Sequence, residues 1–181
     1  MWEVRNRADP ECREIADRHY NRQKIGAPQF VPPGRCLVLL HVGVGRFECA
    51  TAPHLSPPPV WVGKALWVTS WPFAEYVRHA WAGAWVNSCF RNESTTLSSD
   101  LILAAVIESA RKWPIPDLGM VTFVDESKTK HKRDPGRCYI RAGFKRVGYT
   151  KGGLVALQMD ADTIRTLAAA PSGAGNDEEG E

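Results

Sequence analysis

The chain has 181 residues, 44% of them apolar, and a formal net charge of +3, which suits one domain with a sizeable core. No apolar run approaches the roughly 20 residues of a membrane span, and the opening MWEVRNRADPE lacks a signal-peptide core. The five cysteines (Cys12, Cys36, Cys49, Cys89 and Cys138) are odd in number and far apart, with no CxxC. They point to neither a zinc ribbon nor a disulfide framework, so a reduced, cytoplasmic protein is expected.

The first predicted element is a helix over 9–24. Asp9 can cap it, Pro10 suits its first turn, and Cys12, Ile15, Ala16 and Tyr20 recur at helical spacing. RCLVLLHVG (35–43) is a continuous apolar run, expected as a buried strand. The Pro-rich HLSPPPVW makes 46–63 a long loop. KALWVTSW (64–71) alternates as a strand does, and AEYVRHA reads as a helical turn. AWAGAWVNSCFRNE (80–93) is expected as a strand.

LSSDLILAAVIESARKW (97–113) is the clearest helix. Ser98 or Ser99 is expected to cap it, with Leu101, Ala104, Ala105, Ile107 and Ala110 on its inner face. MVTFVD (120–125) is a short buried strand that ends on a carboxylate. A short helix follows around Cys138–Ala142, with Gly143 free to take the left-handed conformation that closes it. Strands 144–150 and 153–159 come next, then a helix in ADTIRTLAAA. Residues 1–170 are expected to form the domain, and 171–181 a disordered acidic tail. Strands alternating with helices in the second half argue for an α/β (α+β) layered fold.

Charge is unevenly spread. The stretch AGNDEEGE holds four acids and no base, so the +3 becomes about +7 without it. Residues 128–146 hold eight bases against Asp134 alone. Lys128, Lys130, Lys132, Arg133 and Arg137 are therefore candidate phosphate contacts; a solvated basic loop is the plain alternative.

Other candidates have two readings each. Tyr20 and Tyr139 are core aromatics with one wet end, or functional phenols. Asp125 caps the turn into ESK, or stands at a strand end where α/β folds place reactive groups. Trp81, Trp85 and Phe123 are core residues, or stacking surfaces for a base.

The succession of strand, long helix, strand, short helix ending in Y-x-x-A-G-F and terminal strand pair resembles the GNAT acyltransferase superfamily. The resemblance implies a central mixed sheet with splayed strands, here 80–93 and 119–125, flanked by helices on both faces. It also implies acyl-coenzyme A in the gap. The superfamily's Gly-rich phosphate loop, Q/R-x-x-G-x-G/A, is replaced by RNESTTLSSD, leaving Arg91, Asn92, Ser98, Ser99 and the helix dipole as cofactor contacts.

RHYNRQK (18–24), FRNE (90–93), TFVD (122–125) and RCYIRAGF (137–144) are similar to stretches of the phage Mom family, which modifies DNA adenine. That resemblance implies acetyl-coenzyme A as donor and double-stranded DNA as partner. It implies a carbamoylmethyl-type group on adenine N6 that protects DNA from restriction. It also implies a catalytic set of His19, Tyr20, Asp125 and Tyr139 around a bound iron. An ordinary N-acetyltransferase and a non-catalytic DNA-binding protein stay open as alternatives.

Overall fold

The computed structural model describes residues 1–45, 60–129 and 134–170. Its strands are β1 (Trp2–Arg5), β2 (Arg35–Gly45), β3 (Val60–Trp71), β4 (Trp85–Asn92), β5 (Met120–Val124), β6 (Lys145–Tyr149) and β7 (Val155–Met159). Its helices are α1 (Pro10–Asp17), α2 (Ser98–Lys112), α3 (Arg137–Arg141) and α4 (Ala161–Ala169). The strands form one sheet in the order β1-β2-β3-β4-β5-β7-β6. Every neighbouring pair is antiparallel except β4 and β5, which α2 connects as a parallel crossover. The mixed α+β class expected from the alternation is the class found.

The sheet has a core on each face because its central strands carry apolar residues on both sides. On one face α1 lays Cys12, Ile15 and Ala16 against Val38, Leu40, Leu66, Val68 and Cys89. On the other, Leu37, Leu39, Trp67 and Trp85 meet residues of α2, α3 and α4. Each fully buried Leu or Ile contributes roughly 1.5–3 kcal/mol to holding these layers. The Trp2 indole N–H donates to Leu101 O at 2.9 Å and ties β1 to α2.

Several expectations need correction. β1 is a strand that was not anticipated. α1 ends at Asp17, not Lys24, with Arg18 as its C-cap. The Asp17 carboxylate there accepts from Arg22 Nε at 2.6 Å and from the Gly26 amide at 2.9 Å, which folds the chain into a turn instead of a further helical one. Of the expected loop 46–63, residues 60–63 belong to β3, while 46–59 lie outside the described residues. β4 begins at Trp85, not 80, and the helical turn in AEYVRHA is a 3-10 turn at Ala74–Tyr76. The N-cap of α2 is Leu97, and no side chain caps it.

The inner face of α2 carries Leu101, Ile102, Ala105, Val106 and Ser109. Ala104 is exposed. Ser109 is tolerated inside because its hydroxyl donates to Ala105 O at 2.9 Å and pairs with Thr69 Oγ1 at 2.8 Å. The expected tail, 171–181, lies outside the described residues. Among the described residues no helix is long and apolar enough to cross a membrane.

Candidate functional site

The parallel β4/β5 pairing covers only Trp85↔Met120, Val86↔Val121 and Asn87↔Thr122. Beyond it β4 stays paired with β3 as far as Asn92, and β5 with β7 as far as Val124. The two strands part company, as the resemblance implied for 80–93 and 119–125. A cavity of about 250 Å³ opens where they do, bounded also by the turn after α1, by α3 and by the start of α2.

A β-bulge marks the point of divergence. Val68 faces Cys89 and Thr69 faces Asn87, so Ser88 is the extra residue on β4. The Asn87 side chain repairs the ladder there. Its amide nitrogen donates to Val68 O at 3.1 Å and to Cys89 O at 3.0 Å. That fixes the amide oxygen in the opposite direction. It accepts from the Tyr139 hydroxyl at 2.7 Å and from Thr122 Oγ1 at 3.3 Å.

Tyr139 reaches this position on α3, which is closed as expected: Gly143 has φ +96°, and the Phe144 amide donates to Tyr139 O at 3.0 Å. The ring packs against Trp67, Phe90 and Phe144. Burial holds its phenol well above the ordinary value of 10, so it keeps its proton at neutral pH.

His19 and Tyr20 also border the cavity, in the turn after α1, with their rings stacked at 4.4 Å and 28°. Burial raises the Tyr20 phenol, partly offset by the Asp125 backbone N–H. His19 Nδ1 accepts the Asn21 N–H at 3.2 Å, which assigns the hydrogen of the neutral ring to Nε2. Arg91, Asn92 and Ser98, which the resemblance implied as cofactor contacts, line the cavity. Arg91, however, gives its Nε to Glu93 at 2.5 Å and an Nη to Arg18 O at 2.5 Å. Arg18 clasps the same carboxylate at 2.8 and 2.6 Å. Led by the Arg18 contact, these bonds bring the Glu93 carboxyl down to about 2.

Asn92 Nδ2 donates to Thr96 O and Ser98 Oγ, so the loop into α2 is folded on itself. The Ser99 hydroxyl turns to Asp100 at 3.2 Å. Asp125 follows β5 and caps its own turn, accepting from Ser127 Oγ at 2.5 Å and the Ser127 amide at 3.0 Å, with Lys128 at 3.7 Å. The Ser127 hydroxyl is the leading reason its carboxyl lies below the ordinary range. Arg137 is exposed at the start of α3; Lys130, Lys132 and Arg133 lie outside the described residues. Part of the basic run is neutralised by acids within and beside it. Arg146 lies 3.3 Å from Glu126 and 3.4 Å from Asp134, and Lys145 lies 3.8 Å from Asp160.

To hold the iron that the resemblance implied, Tyr139 and His19 would each have to give up a present hydrogen bond. Iron takes a phenolate or a bare imidazole nitrogen, and the Tyr139 hydrogen is committed to Asn87. The bare His19 nitrogen already serves Asn21. Among the described residues no three His, Cys, Asp or Glu side chains converge as a metal group.

Residues that sequence reasoning passed over hold the site together: Asn87, Thr122, the bulged Ser88 and Glu93. For Asn87, Ser88 and Thr122 the one signal is a polar residue inside an apolar strand, as in AWVNSCF and MVTFV; Glu93 follows β4 at the end of FRNE. The site and sheet define an α+β protein with a split parallel pair. No protein family, no curated protein and no solved structure matches the chain.

Proposed function

We propose that this protein is an acetyl-coenzyme A-dependent transferase acting on the exocyclic N6 amine of adenine in DNA. The observation that carries the reading is the gap between β4 and β5, which opens a cavity at the N-terminus of a helix that no side chain caps. Such a helix end attracts the phosphates of a coenzyme. The donor supplies an acyl thioester: a nitrogen–carbon bond forms, the carbon–sulfur bond breaks, the amine gives up a proton and the thiolate takes one.

The chain's own residues fit that exchange. Tyr139 keeps its proton at neutral pH and would deliver it to the thiolate by turning its hydroxyl away from Asn87. Asn87 and Thr122 hold it in place. Ser98 and Asn92 offer a hydroxyl and an amide at the helix end. For the acceptor, the basic segment 128–146 and exposed Arg137 favour a polyanion. The adenine amine is stacked and paired in duplex DNA, so the base must leave the helix to react. An altered N6 group is one that hides DNA from restriction, and a cytoplasmic place in a bacterial host goes with that role.

The carbon-linked carbamoylmethyl product calls for a metal, for which Tyr139 and His19 would have to exchange their present partners. The reading therefore keeps to transfer onto nitrogen. Mass spectrometry of nucleosides from DNA co-expressed with the protein tests it. An acylated adenosine is expected. Unchanged DNA with turnover of acetyl-coenzyme A would leave an ordinary N-acetyltransferase, and neither change would leave a DNA-binding protein.

A further inference from the structure

We propose that Phe123, braced by Trp81 and His79, forms a stacking wall for the acceptor, whose class is a planar heteroaromatic ring, a nucleobase. This rests on reading the cavity as a transferase site. Phe123 is the one residue of β5 that is not buried, and it lines the cavity. A large apolar side chain on a central strand would ordinarily be covered.

Two rings from the connection between β3 and β4 lie against it. His79 is 4.9 Å from Phe123, Trp81 is 5.8 Å from Phe123, and His79 and Trp81 are 6.1 Å apart. The trio is held by a bond from the Trp81 amide to His79 Nδ1 at 3.2 Å. The pairs are tilted by 56°, 58° and 44°, so no ring face is used up by a parallel neighbour. Burial lowers the His79 imidazole below its ordinary 6.5, which keeps the ring uncharged at neutral pH.

The cavity that Phe123 lines, with His79 and Trp81 packed against Phe123 outside the lining, is bordered also by the stacked His19 and Tyr20 and by the polar Ser88, Asn92 and Ser98. Aromatic faces beside amide and hydroxyl groups match a flat ring with polar edges. An aliphatic amine has no face to offer them.

The test uses duplex DNA carrying 2-aminopurine in place of adenine, with coenzyme A at saturation to fill the donor part of the site. Wild-type protein is expected to change the probe's fluorescence on binding. Phe123→Leu should cut that change several-fold, and Phe123→Tyr, which keeps the ring, should retain it. Trp81→Leu, on a surface connection, repeats the test should Phe123→Leu not fold. Duplex affinity by anisotropy should move much less, because phosphates hold the DNA. A wild-type signal from both leucine variants overturns the wall. So does a silent wild-type protein: if its co-expressed DNA carries modified adenine, the wall alone fails, and if that DNA is unmodified, the transferase reading fails with it.

Discussion

The Tyr139 hydroxyl donates to Asn87 Oδ1 at 2.7 Å, and the direction of that bond is set by the other end of the same amide, which caps two backbone carbonyls at a bulge. The phenol is thus a donor with an assigned partner, not an idle core aromatic.

Tyr139→Phe keeps the ring and removes one hydrogen bond, while Thr122 still serves Asn87. It should cost about 1 kcal/mol of stability and most of the transferase activity. Asn87→Ala strips partners from Val68 O, Cys89 O and Tyr139 at once. It should cost roughly 1–3 kcal/mol more than Tyr139→Phe, because each buried group left unpaired carries its own desolvation penalty. Urea denaturation of both variants settles the ranking; equal midpoints would remove Asn87 from its bridging role.

Glu93 sets an acid limb. Its carboxyl titrates at about 2 in the fold against an ordinary 4.5. A depressed carboxyl favours the folded state, so its contribution is whole at neutral pH and fades as pH falls from 4.5 towards 2. The stability gap between wild type and Glu93→Gln should narrow over that window. A gap of constant size across it would deny Glu93 its two arginines.

Gly63 has φ +90°, and a Cβ there would lie 2.0 Å from Glu93 O. Gly63→Ala should therefore destabilise by more than the roughly 1 kcal/mol typical of a strained backbone site, since backbone must move as well. It should also slacken the Arg18–Glu93 clasp. Thermal unfolding provides the measurement, and an unchanged midpoint speaks against so tight a contact.

Replacing Lys130, Lys132 and Arg133 together by Ala should flatten the dependence of DNA affinity on salt, since each phosphate contact contributes about 0.9 to the log–log slope. The slope from titrations at several salt concentrations decides it. No change would remove the segment from the DNA surface.

Burial pushes the thiols of Cys12 and Cys89 up to about 12. Native protein treated with iodoacetamide near pH 8 should leave both unmodified, and denatured protein should not. Peptide mapping reads the result.

Much of this fold was legible in the chain. RCLVLLHVG, the long helix and the Gly143 closure announced themselves because periodicity and capping are local. The end of α1 was not, because it depends on Asp17 being taken by Arg22 and Gly26 from further along. The α2 face was misjudged where a buried serine is satisfied by Thr69 on β3. The site divides the same way. His19, Tyr20, Arg91 and Tyr139 were found by motif and do border one cavity. Asn87 and Thr122 are 35 residues apart, and only sheet pairing makes them partners.

The seam between β4 and β5 has a mechanical consequence. Three residue pairs stitch a leaf of β1–β4 to a leaf of β5, β7 and β6. Breathing of the molecule should begin along that line, with amides beside Asn87 and Thr122 exchanging hydrogen ahead of those in the middle of β2 and β3. A ligand seated in the opening would rivet the leaves together, slow that exchange and raise the melting temperature in step with its concentration.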